Sequence, residues 1–160
     1  MITIQPIAAH QAEALQQMIL HIQREEFGID ITLEDQADLL DPNGFYNRGS
    51  GGIWVALDSD TVIGSIALID IGHEQVALRK MFVAEAYRGR AHGVAQKLLE
   101  HVFEHARSSG VKDIYLGTTA AFLAAHRFYE KNGFDLVDEA KLPEAFPRMA
   151  VDTRFYRMTV

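Results

Sequence analysis

The segment Tyr87-Arg88-Gly89-Arg90-Ala91-His92-Gly93-Val94-Ala95 constrains the fold more than any other. It joins an apolar run, Met81-Phe82-Val83, to a helical pattern that begins near Gly93. A junction of this kind is a phosphate cradle. The first N–H groups of a helix lack intrahelical partners and point outward, and the helix dipole adds partial positive charge. Arg88 and Arg90 add full charges and forked donors suited to a pyrophosphate. The helix that follows is amphipathic. Val94, Ala95, Leu98, Leu99, Val102 and Ala106 form one stripe, and Gly110 supplies the stop.

The rest of the chain supplies a sheet for this junction. Ile2 to Ile7 reads as a first strand, with Pro6 marking an edge or an end. Ala12, Leu15, Ile19 and Ile22 put a helix between His10 and Phe27. Thr32 and Asp35 suggest the N-cap of a short second helix ending near Leu40, and Asp41-Pro42-Asn43-Gly44 reads as a turn. Strand patterns cover Ile53 to Leu57, Thr61 to Ile71 and Gln75 to Val83, and their short connections imply an antiparallel meander. After the helix from Gly93 to Ser109 come a strand (Asp113 to Leu116), a helix (Ala120 to Lys131), a strand (Phe134 to Val137), a loop with Pro143 and Pro147, and a last strand from Asp152. The order β-α-α-β-β-β-α-β-α-β-β implies one mixed sheet covered by helices, in a single domain over 1–160.

Composition removes several classes of function. The chain has no cysteine, which excludes disulfide frameworks and thiol catalysis by the protein and fits a cytoplasmic location. No signal peptide pattern opens the sequence, and no apolar run approaches the ~20 residues of a membrane span. The net charge of −7 argues against nucleic acid as a partner and tilts the expectation toward a cationic one.

The nucleotide signatures fail on residues. A Walker A loop needs a Gly-Lys pair, which is absent, and Gly89-x-x-x-Gly93 has the wrong spacing for a dinucleotide fingerprint. Arg90-Ala91-His92-Gly93-Val94-Ala95 instead fits [Q/R]-x-x-G-x-[G/A], and Ala125-His126-Arg127-Phe128-Tyr129-Glu130-Lys131-Asn132-Gly133-Phe134 is similar to A-x-x-F-Y-E-K-x-G-F. Together, and with Asp152 to Met158 as the last strand, they resemble the GNAT superfamily of acyl-CoA-dependent N-acetyltransferases. The resemblance implies a central mixed, mostly antiparallel sheet of about seven strands flanked by about four helices, an α/β (α+β mixed) class. Two departures stand out. Ala91 and His92 lengthen the loop after Arg88-Gly89, and Phe122 stands where the family often has an Asn that binds the CoA arm.

The resemblance also implies a chemistry: direct transfer of an acetyl group from acetyl-CoA to a primary amine, with no metal. The N–H groups from Arg88 to Ala95 would take the pyrophosphate, with Phe122, His126 and Tyr129 on the CoA side. The main chain of Met81, Phe82 and Val83 would face the thioester carbonyl, and Tyr129 would be the acid for the leaving thiolate. An alkylamine arrives protonated and needs a base. Glu26 and Glu74 lead the candidates, ahead of Glu25, Asp70 and His73. The acceptor is expected to be a small-molecule amine, and a homodimer is a family habit. A protein amine as acceptor, or a CoA-binding module without catalysis, stays open. His101-Val102-Phe103-Glu104-His105 matches the zinc pattern H-x-x-E-H, but this helix already carries the phosphate loop, and the pattern is read as coincidence.

Overall fold

The computed structural model describes residues 1–120 and 123–160. Seven strands form one sheet in the order β1-β2-β3-β4-β5-β7-β6. They are β1 (Ile2–Pro6), β2 (Gly52–Asp58), β3 (Thr61–Gly72), β4 (Gln75–Val83), β5 (Asp113–Thr118), β6 (Asp135–Val137) and β7 (Arg154–Thr159). Five α-helices are described: α1 (Ala12–His21), α2 (Ala37–Leu40), α3 (Pro42–Tyr46), α4 (Val94–Ser108) and α5 (Leu123–Lys131). The element order follows the expected one, with one helix more than expected.

Strand alternation divides the side chains between two faces. On one face, Trp54, Ala56, Ile66, Leu68, Val76 and Leu78 pack against α4 and α5 through Leu98, Leu99, Val102 and Tyr129. On the other, Val55, Leu57 and Ala67 pack against Leu15 and Ile19 of α1, Leu39 of α2 and Tyr46 of α3. Farther along this second face, Ala77, Tyr115 and Phe155 are covered by Leu142 and Phe146 of the segment before β7. The middle of β3 is buried on both faces, which explains its unbroken apolar run.

Two helix starts differ from expectation. Asp41-Pro42 does not make a free turn. The Asp41 carboxylate accepts from the Gly44 N–H at 3.2 Å and Pro42 takes the first helical position, so turn-type residues begin α3. Thr32 and Asp35 bond each other's N–H groups in a separate turn, and α2 starts only at Ala37. The first helix ends in a π-type turn, Ile22–Glu26, a local widening frequently found at functional sites.

The decisive irregularity is in β4. Ser65 pairs with Phe82 and Ala67 with Arg79, so Lys80 and Met81 together oppose Ile66. This is a bulge, with Lys80 at φ +51° and its carbonyl held by the Ser65 hydroxyl at 2.7 Å. Parallel pairing of β4 with β5 covers only Gln75 to Ala77 against Asp113 to Tyr115. Beyond Ala77 the two strands part and leave a wedge through the middle of the sheet.

Candidate active site

The loop after β4 is held in place from outside. The Tyr87 hydroxyl donates to Asp58 of the β2–β3 hairpin at 2.6 Å, and the Tyr87 ring lies tilted against His92 with centroids 5.6 Å apart. That bond holds the Asp58 carboxyl below the ordinary carboxylate range and pushes the Tyr87 phenol up. The N–H groups of His92 and Gly93 both turn back to the Gly89 carbonyl. Gly89 and Gly93 have φ +100° and +63°, conformations that suit glycine, and Gly93 caps α4. Among the described residues, no protein acceptor meets the N–H groups of Gly89, Arg90, Ala91, Val94, Ala95 or Gln96. Donors on an exposed loop at the positive end of a 15-residue helix suit a pyrophosphate. The backbone geometry suits that group, and Arg90 is exposed on the same loop.

Arg88 is placed differently from expectation. Its Nε donates to the Val83 carbonyl at 2.8 Å and its Nη1 to Glu26 at 2.5 Å. The guanidinium therefore ties the end of the first helix to the end of β4, because a forked cation beside a carboxylate and a free carbonyl satisfies both. Glu26, expected as a base, is one half of this ion pair. Glu74 is farther off. It lies in the β3–β4 turn at φ +60° and pairs with Lys112 at 3.4 Å. Six residues of strand put it roughly 20 Å from the bulge. A cavity of about 550 Å³ opens at that same remote end of β4, beside His73, Gln75, Tyr115 and Lys141.

Tyr129 does reach the wedge. It is 9 % exposed, and its hydroxyl donates to the Met81 thioether at 3.6 Å. Burial pushes its phenol well above the ordinary range, so it keeps its proton at neutral pH. Met81 and Val83 pack with the α4–α5 core, whereas Phe82 packs with the α1 side. Main-chain groups of β4 beyond Ala77 that point toward β5 have no strand partner there. His126 is buried, and its Nε2 donates to the Thr119 carbonyl at 2.7 Å. It ties α5 to the end of β5 and does not line the loop. Phe122 lies outside the described residues. His101 and His105 pack on the Trp54 ring at 6.0 and 4.6 Å, and His105 Nε2 also meets the Ser50 carbonyl at 2.9 Å.

The opposite face of the wedge carries polar residues that no sequence motif marks. Because of the bulge, Lys80 does not alternate away from Arg79, and both project toward the α1–α3 side. The Lys80 ammonium donates to Gln36 at 2.6 Å and lies 3.7 Å from Asp38. Asp38 accepts the Tyr46 hydroxyl at 2.5 Å, and Gln36 exchanges two amide hydrogen bonds with Gln23. Burial pushes the Lys80 ammonium below its ordinary range and the Tyr46 phenol far above its own. The signal was present in the sequence: two adjacent cations, Arg79-Lys80, inside an apolar strand pattern cannot both be solvated on one alternating face.

Comparison with known proteins agrees with this geometry. The acetyltransferase (GNAT) family model matches residues 16–134. N-acetylaspartate synthetase of Danio rerio is 35 % identical over 106 residues, which cover 65 % of this chain and 37 % of that protein. Probable N-acetyltransferase family 8 member 5 of Mus musculus is 31 % identical over 62 % of this chain and 45 % of its own length. The chain thus spans less than half the length of these curated relatives. Among solved structures, an acetyltransferase of the GNAT family from Staphylococcus aureus Mu50 superposes with a TM-score of 0.93, at 36 % identity over 99 % of both chains. An acetyltransferase from Streptococcus agalactiae 2603 gives the same TM-score at 28 % identity, over 99 % of this chain and 98 % of that one.

Proposed function

The chain belongs to the GNAT acetyltransferase family, and from that premise we propose that it moves an acetyl group from acetyl-CoA directly to the primary amine of a small molecule. One observation carries the proposal: the wedge between β4 and β5 has the phosphate loop at its mouth and the Tyr129 hydroxyl beside Met81 inside it. Acetyl-CoA supplies an activated acyl group and a thiolate leaving group. The chain positions both and supplies the proton for the thiolate, and the protons that the amine sheds leave through water.

The free N–H groups of Gly89, Arg90, Ala91, Val94 and Ala95, with the Arg90 guanidinium, hold the pyrophosphate. Main-chain donors among Met81, Phe82 and Val83 face the thioester oxygen, where negative charge grows as the amine attacks. Tyr129 is protonated at neutral pH and hands its proton to the departing sulfur, regaining one from the solvent. Glu26 holds Arg88 and the end of β4, and a carboxylate tied to a guanidinium is a poor base. Glu74 is too remote for that role. The relatives named N-acetylaspartate synthetase support a small acceptor, and we place its entrance on the α1–α3 side, opposite the helices that carry the phosphate loop and Tyr129.

The test is release of free thiol from acetyl-CoA across a panel of amines, with titration of CoA alongside. We expect turnover on at least one small amine. Tyr129→Phe should lower kcat about ten- to a hundredfold and leave CoA affinity unchanged. CoA binding with no turnover on any amine would overturn the proposal.

A further inference from the structure

Two half-buried, oppositely charged side chains face each other on the acceptor side of the wedge without pairing. Arg79 projects from β4 just before the bulge. No hydrogen bond or ion pair to its guanidinium occurs among the described residues. No protein acceptor takes its five donors, and none of its nitrogens is sealed from solvent, so the guanidinium is open to a ligand. Asp152 stands across the gap. Its carboxylate lies over Gly117 of β5, where a Cβ would come within 2.7 Å of Oδ2, so the glycine makes room for it. The carboxylate has no hydrogen-bond donor among the described residues either. Burial raises the Asp152 carboxyl, and the charge of Arg79 pulls it partly back down. Yet they do not approach to the 4.0 Å of an ion pair.

Both are fixed by their backbones. Arg79 sits in register opposite Ala67, beside the pinned bulge. Asp152 donates its N–H to Met149, and the next residue bonds the Thr118 carbonyl at 3.1 Å, which anchors the segment to the end of β5. Lys80, the neighbouring cation, is already matched by Asp38 and Gln36 and is not available to a ligand.

We propose that the acceptor is an amino acid bound as a zwitterion, its carboxylate on Arg79 and its ammonium against Asp152. This rests on the acetyltransferase reading above and narrows its substrate class. A forked guanidinium meets a carboxylate with two parallel bonds, and an unpaired carboxylate on the opposite wall holds the amine beside the thioester position. The overall acidity of the chain pointed to a cationic amine. The local charge on this face points to a molecule carrying both signs.

The probes are the twenty L-amino acids and their α-carboxamides, assayed for thiol release from acetyl-CoA. At least one free acid should be turned over, with kcat/KM a hundredfold or more above its amide. Arg79→Gln should raise KM for that acid more than tenfold and leave the amide unchanged, so the preference collapses; Arg79→Lys should fall between. Equal or better turnover of amides and simple amines by the unaltered protein would overturn the zwitterion site while leaving the acetyltransferase reading intact. Absence of turnover on every amine would instead sink that reading. In that case, titration of acids and amides into the CoA-loaded protein still decides the site. Binding of an acid over its amide supports it, and equal binding or none overturns it.

Discussion

The two faces of β4 at the bulge are built on opposite plans. Toward α4 and α5 the strand presents Met81 and Val83 to an apolar core, with Tyr129 as the polar group at its edge. Toward α1–α3 it presents Arg79 and Lys80, and the space is filled by Asp38, Tyr46, Gln36 and Gln23. On the proposed reading the first face meets the cofactor common to the family, and its determinants are backbone groups and a helix start. The second would meet the acceptor, and its determinants are side chains gathered from distant elements. A single residue inserted in β4, with Lys80 at positive φ, separates the plans. Without the bulge, Lys80 would point into the α4 core.

The contrast can be broken from the polar side first. Asp38→Ala leaves the buried Lys80 ammonium without its carboxylate and the Tyr46 hydroxyl without its acceptor. Loss of one partner of a buried pair costs about 3–5 kcal/mol. Denaturant unfolding should show it, and a loss under ~1 kcal/mol would mean that the pair is solvated. On the other face, Gly93→Asp puts a charge and a Cβ at φ +63°, where the ligand phosphate is expected. Calorimetric titration should show CoA affinity reduced about a hundredfold or more, the ~2.7 kcal/mol of two decades. Normal CoA binding by this variant would remove the phosphate role of the loop.

A third prediction concerns pH. Burial lowers the Lys80 ammonium in the folded protein below its value in the unfolded chain. Between those two values the unfolded chain binds more protons, so this residue's contribution to stability rises with pH. It levels off once the unfolded lysine also loses its proton, near pH ~10.4. Relative to Lys80→Met, the unaltered protein should therefore gain up to ~1.4 kcal/mol per pH unit on the alkaline side. A difference independent of pH would show that Lys80 is not desolvated. The smallest effect belongs to Glu26→Gln. The Glu26–Arg88 pair is partly exposed, with Arg88 at 39 %, so screening limits the loss to under ~1 kcal/mol. Its stability change should shrink further in high salt.

The apolar face was legible in the sequence because its information is local. Helix α4 announces itself by one stripe and a glycine cap, β4 by its apolar run, and the loop by glycines spaced along a single segment. The second motif placed Tyr129 correctly on α5, since a helix fixes which residues share a face. The polar face was not legible for the opposite reason. Arg79-Lys80 stands out as a pair of cations in an apolar strand, but no spacing relates the pair to Asp38 or Asp152, which come from separate parts of the chain. Glu26 and Glu74 looked equivalent as free carboxylates. Only their surroundings, Arg88 for one and a remote turn for the other, distinguish them.

By itself the sequence determined the order of strands and helices, the amphipathic stripes that choose a face, and the glycine junction that makes a helix N-terminus accessible. Those properties depend on residues within a few positions of one another, where backbone conformation and side-chain period act directly. The tertiary structure alone decided that β4 and β5 part after Ala77, that Lys80 turns to the polar face, and that Arg88 is committed to Glu26. It also decided that Arg79 and Asp152 stand opposed and unpaired. Each of these depends on burial and on charges brought together from afar, and neither exists until the chain has folded.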